Sequence, residues 1–147
     1  MRSLLLLGSI FGFLAVTLGA FGAHWLDAYW QAYFEPNRAM YLEEVFQTGV
    51  KYHMFHALAI FVAAWLAGSR GGGADGAFSW WPRMAGWLFA AGILVFSGSL
   101  YALAISGIGI FGAITPIGGV CFLVGWVMLG VAGWRLPSRG ETTDEHG

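Results

Sequence analysis

Three long stretches without charge organise the chain. Residues 3–23, 52–69 and 84–134 contain no Asp, Glu, Lys or Arg, and their apolar residues run on continuously instead of alternating. A hydrocarbon layer of about 30 Å is crossed by about 20 apolar residues of helix. The first two stretches each supply one such helix. The third is long enough for two, with Ser106-Gly107-Ile108-Gly109 as the turn between them, since glycine tolerates turn dihedrals. The pattern predicts four transmembrane helices near 3–23, 48–68, 84–105 and 110–134. They form an all-α integral membrane protein, a four-helix bundle over 1–137 as one domain, followed by a short polar tail at 138–147. A closed barrel would show short alternating segments instead. The first apolar stretch exceeds the roughly 7–15 residues of a secretory leader's core, so a retained helix is expected.

The connections differ in kind. Residues 68–77, "GSRGGGADGA", read as a flexible linker; they lack the GK[ST] of a phosphate-binding loop. Residues 25–51 are the opposite, with seven aromatic and six charged side chains. That mixture predicts a helix lying in the interface plane and offers a docking surface for another protein or for lipid. Glu35-Pro36-Asn37 interrupts it, and Asn37 can cap a new helix that runs on from Arg38 to Ala67, about 45 Å long.

Composition agrees with the spans. Of 147 residues, 58% are hydrophobic and 10% charged, where a soluble domain carries roughly 25% charged residues. An ordinary cytosolic enzyme and a disordered chain are excluded. The net charge of -1 leaves no basic footprint for nucleic acid. Cys121 is the single cysteine, so no intrachain disulfide can form. Lys and Arg set the orientation. Arg2, Arg70, Arg83, Arg135 and Arg139 fall on the side of the termini, and only Arg38 and Lys51 on the other. This bias predicts that both termini face the cytoplasm. Trp65, Trp80, Trp81 and Trp134 then mark the inner boundary, and Trp25 and Trp30 the outer one.

Small residues recur on one face of the first helix at Gly8, Gly12, Ala15, Gly19 and Ala23, and on the fourth at Gly118, Cys121 and Gly125. Such stripes allow close helix packing, within one chain or between two. Pro116 removes a backbone donor from the fourth helix and predicts a kink there.

Polar side chains in the spans gather at one depth. His24 and Asp27 end the first helix, and His53 and His56 lie in the outer half of the second. Ser97, Ser99 and Tyr101 lie in the outer half of the third, and Thr115 near the outer end of the fourth. His53 and His56 are about 60° apart on one face. With His24, and with Asp27 or Glu44 as a carboxylate, they can make a set for zinc, copper or iron, bracket a haem, or hold a quinone carbonyl. The competing expectation is structural, with imidazoles bonded to backbone or headgroups. Glu43 and Glu44 point about 100° apart and read as a solvated face. Ser97 and Ser99 sit in no GxSxG elbow, which weighs against a serine nucleophile.

The segments "GAFGAH" (19–24), "YHMFHALAI" (52–60), "FSGSLYALA" (96–104) and "ITPIGG" (114–119) together resemble the small bacterial inner-membrane proteins grouped as domain-of-unknown-function family 423. The resemblance extends over about 4–134 and matches at His24, His56, Ser97, Gly98, Ser99, Tyr101, Thr115, Pro116 and Gly119; residues 25–51 look longer and more aromatic than is usual for it. It implies four spans and no assigned reaction or ligand. The expectation is a non-catalytic accessory or assembly subunit docked on other membrane-protein subunits. A haem, metal or quinone binder at His24, His53 and His56 is the alternative. A small transporter ranks last, because no acidic or basic residue lies deep in a span.

Overall fold

The computed structural model describes residues 1–68 and 77–135. Four helices account for nearly all of them: α1 (Arg2–Tyr33), α2 (Pro36–Gly68), α3 (Trp80–Ser106) and α4 (Ile110–Trp134), each long and apolar enough to cross a membrane. Apart from Gly68 and Ala77, the Gly-rich connection lies outside the described residues, as does the tail at 138–147.

α4 begins and ends where the uncharged run places it. α2 starts at Pro36, upstream of its apolar run. Proline suits a first helical turn because its missing N–H has no helical partner there. Asn37 is therefore inside the helix and does not cap it. The larger departure is in α1, which continues past residue 23 to Tyr33 through a wide, π-type turn at Gly22–Leu26. Residues 24–33 extend the first span along its axis; they do not form a separate helix in the interface plane. A helix ending at His24 would leave its last carbonyls without donors, and continuation satisfies them.

The aromatic residues of this extension close the turn end of the molecule. α3 ends at Gly107, which takes a left-handed φ of 70° and donates its N–H to Leu103 O at 2.8 Å. The neighbouring carbonyls of α3 receive side chains from elsewhere in the chain. Trp30 Nε1 donates to Ala104 O at 2.8 Å, Tyr29 Oη to Ile105 O at 3.1 Å, and Arg38 Nη2 to Gly107 O at 2.8 Å. Trp30 is thus buried, at 1% exposure, and does not act as the interfacial ring its position suggests. Trp25, Tyr33 and Tyr41 remain exposed.

α2 and α3 form the central antiparallel pair. Glycines let them approach: a methyl on Gly49 would lie 2.9 Å from the Tyr101 ring, and one on Gly86 would lie 3.5 Å from Ala63. α1 packs on one side of this pair and α4 on the other, and among the described residues the backbones of α1 and α4 do not come close. The bundle is accordingly open. Only 22% of the apolar window of α1 and of α4 is buried, against 44% for α2 and 50% for α3.

Two apolar clusters fill the interior. One lies toward the termini around Leu4, Ile60, Phe89 and Leu129. The other lies at the turn end around Trp30, Leu42, Phe46 and Leu103. The small-residue stripes serve contacts within the chain: Gly8 meets Phe61, Gly19 meets Val50, and Gly125 meets Phe89, while Gly12 has open space. The tightest approach to a backbone is between α3 and α4, where a methyl on Gly118 would strike Phe96.

That last contact gives a sharp test. Gly118→Ala must displace a backbone rather than a flexible side chain, and overpacking of this kind costs about 1–3 kcal/mol or more. Gly130→Ala, with nothing within 4 Å, should be neutral. Thermal unfolding in detergent should show a clearly lower midpoint for Gly118→Ala alone. Equal midpoints for the two variants would contradict the α3–α4 packing.

Candidate functional site

Between the two apolar clusters lies a layer of polar side chains. His53 and His56 are both buried, at 3% and 5% exposure, but they look in different directions from α2. His53 faces the α1 side. Its ring meets Phe11 edge-on at 5.5 Å, and its Nδ1 lies 3.2 Å from Tyr101 Oη. His56 faces the α4 side, stacked on Phe122 with centroids 3.5 Å apart and planes 9° apart.

The hydrogen bonds of His56 fix its tautomer. Nδ1 lies 2.7 Å from Tyr52 O, and a carbonyl only accepts, so Nδ1 carries the proton. Nε2 is then a lone pair, and Trp126 Nε1–H donates to it at 3.2 Å. Both ring nitrogens are used, and neither is free to ligate. This imidazole joins α2 to α4 across the polar layer, and Ser99 joins α3 to α4 through a 2.8 Å bond to Thr115 Oγ1.

His24 does not reach this layer. It lies on the wide turn of α1 and is exposed, next to the exposed Trp25. The expected convergence of His24, His53 and His56 is therefore corrected. Among the described residues no three His, Cys, Asp or Glu side chains come together as a metal site. The physical reason is rotational: at about 100° per residue His24 falls on the face of α1 opposite the buried Leu4, Gly8 and Ala15, away from α2. Asp27 makes no hydrogen bond to a histidine. It accepts from Gln31 at 2.7 Å and lines an open cleft of about 520 Å³ with Trp30, Phe34, Met40 and Glu43. Glu43 and Glu44 are exposed. Cys121 is half-buried and sits on the α4 stripe.

Two features of the layer escaped the sequence reading. Trp126 was the legible one: a tryptophan far from either end of its span needs a partner for its indole N–H. The second is a π-type turn at Ile93–Ser97 in α3, where Gly98 N–H reaches Ile93 O five residues back. Turns of this kind recur at functional sites. Both π-type turns of the molecule hold a candidate residue, His24 in one and Ser97 in the other.

The His56–Trp126 bond can be measured by a double-mutant cycle with His56→Phe and Trp126→Phe. Hydrogen bonds between membrane helices contribute about 0.6–2 kcal/mol, so a coupling in that range is expected from unfolding midpoints. Additive effects would refute the bond.

Comparison with known proteins places this geometry in context. A family model described as "Protein of unknown function (DUF423)" matches residues 18–119, a stretch that includes His24 to Thr115 and stops before Trp126. The UPF0382 membrane protein YwdK of Bacillus subtilis is 48% identical over 132 residues, covering 90% of this chain and 96% of that protein. The UPF0382 inner membrane protein YgdD of Escherichia coli is 38% identical over 141 residues, covering 95% of each. A UPF0382 membrane protein of Staphylococcus aureus is 38% identical over 135 residues, covering 92% and 98%. No solved structure matches. A match through most of the length, shared with relatives named as membrane proteins and joined to four spanning helices, establishes that the chain belongs to the DUF423 (UPF0382) family of membrane proteins.

Proposed function

We propose that this protein is a non-catalytic subunit that docks laterally, within the bilayer, on a larger membrane complex. The observation that carries this is how the polar layer and the helix faces divide their work. His56, Trp126, Ser99, Thr115, Trp30 and Arg38 are all engaged in internal hydrogen bonds. α1 and α4, in contrast, turn most of their apolar surface outward, including Leu6, Ile10 and Phe13 on one side and Val120, Leu123 and Val127 on the other. Two separate lateral faces on a small, rigid body suit an assembly or accessory role. A haem, metal or quinone held by His24, His53 and His56 draws no support from this geometry, since His56 is fully bonded and His24 faces away.

Capture of the tagged chain from native membranes, extracted into nanodiscs without detergent, should yield a stoichiometric second subunit. Gly130→Leu adds bulk to α4 where nothing lies within 4 Å in the chain itself. If α4 is the docking face, this variant should stay folded and lose the subunit. Capture of the chain alone, with lipid, would overturn the reading.

The same reading places the protein in a bacterial inner membrane with both termini in the cytoplasm. The support is the distribution of Arg2, Arg70, Arg83, Arg135 and Arg139 against Arg38 and Lys51. A cysteine at Asn37, in a Cys121→Ser background, should react with an impermeant thiol reagent in spheroplasts, and one at Ser138 should react only after lysis. The reverse pattern would invert the topology.

A further inference from the structure

Hydroxyl groups in these helices follow one habit. Ser9, Thr17, Thr48 and Ser106 each donate to the carbonyl four residues back, at 2.6–2.9 Å. Thr115 spends its proton on Ser99 Oγ at 2.8 Å, and Ser99 donates to Phe96 O at 2.9 Å. This local bond is the default for a hydroxyl on a helix. Ser97 departs from it. Its side chain is fully buried, and its Oγ has no partner among the groups of the protein. The carbonyl it would ordinarily use, Ile93 O, receives Gly98 N–H instead, because the backbone makes its wide turn there.

His53 presents a second buried atom of the same kind. Nδ1 is shared with Tyr101 Oη, and Nε2 is buried without a partner. Whichever way the Tyr101 bond is polarised, one nitrogen keeps an unmet need: an N–H to give, or a lone pair to fill. The antiparallel register brings the two residues to one level of the α2–α3 interface. Gly49 abuts Leu100 and Tyr101, and Ala63 abuts Gly86. His53 is one turn from Gly49 toward Ala63, so it falls opposite the turn before Tyr101, which holds Ser97. Phe11 of α1 closes this side over the imidazole.

Two unpaired polar atoms on facing helices, each buried, cost free energy separately, and one ligand that both donates and accepts relieves both. The ligand must be neutral, because no carboxylate or cationic side chain belongs to this layer. It must also be small, because both atoms are sealed from the surface. We infer that His53 Nε2 and Ser97 Oγ form a binding site for a single buried water molecule between α2 and α3, covered by α1. A buried water needs two to four polar partners, and these supply the first two. The π-type turn at Ile93–Ser97 has a role in this arrangement: it withholds Ser97 from its local carbonyl and leaves it for the water. The site mirrors the dry His56–Trp126 bond on the opposite side of the same pair of helices.

Solid-state NMR on protein labelled with ¹⁵N-histidine in bilayers can test this, with transfer of magnetisation from water to imidazole nitrogen. The His53 signal, assigned by its loss in His53→Phe, should receive water magnetisation at Nε2. The His56 signal should not, since both of its nitrogens are bonded to protein. Ser97→Ala should abolish or strongly reduce the transfer to His53 while leaving the His56 signal in place. Absence of transfer to wild-type His53 would overturn the inference by itself, whether or not the Ser97 variant folds. Transfer that persists undiminished in a folded Ser97→Ala would remove Ser97 from the site and refute it as stated.

Discussion

Hydrocarbon cannot hydrogen-bond, and that constraint orders this molecule. In water a polar side chain pointing outward is solvated. Within a bilayer it must find its partner inside the protein or bear the cost. The usual sense of an amphipathic helix is therefore reversed along much of α1 and α4: their outward faces carry Phe13, Val16, Leu123 and Val127, and the outward hydroxyls of Ser9 and Thr17 bond carbonyls of their own helix. The same constraint acts on backbone. The end of α3 would leave carbonyls bare at the turn end, and Trp30, Tyr29 and Arg38 supply the missing donors. The aromatic extension of α1 is accordingly part of the fold, and its most buried ring is committed to α3.

Without a hydrophobic drive between helices, contact must come from close packing. Glycine makes that possible where it counts. Gly118 admits the Phe96 backbone, Gly92 admits the Phe122 ring, and Gly49 admits Tyr101. Each approach seats an aromatic side chain, and those aromatics build the environment of the histidines. Phe122 lies flat on His56, and Tyr101 reaches His53. The polar layer and the glycine contacts are thus one arrangement: loss of the close approach would also separate the hydrogen-bonding partners.

The spans were legible in the sequence because charge is so costly in hydrocarbon that its absence marks them. The turn at Gly107 was legible because only one stretch between the last two helices offered turn residues. The depth of the polar layer was legible too, since position along a helix converts directly to height. Which way each side chain faces was not. Facing depends on helix phase, and the two π-type turns shift that phase without any signature in residue type. His24 is a different case: depth put it with the other histidines, but nine residues beyond the buried Ala15, at about 100° each, it stands on the opposite face of α1, and phase would have shown that. His53 and His56, three residues apart, looked like one pair. In fact α1 and α4 lie on opposite sides of α2, so the two imidazoles serve different interfaces.

That separation bears on what the interior can do. A shared site would need flexible or unspent groups converging from several helices. Here the α4 side is closed by a stacked, doubly bonded imidazole, and its Nε2 lone pair is already filled by an indole N–H. The α2–α3 interface keeps two side-chain atoms that are both buried and unpaired, His53 Nε2 and Ser97 Oγ. A molecule built this way keeps few polar groups unspent in its described interior. What it does have in quantity is outward apolar surface on two helices whose backbones do not come close to each other. If the protein acts by contact, α1 and α4 can engage two different neighbours at once, and the bonded layer between them keeps the two faces at a fixed distance.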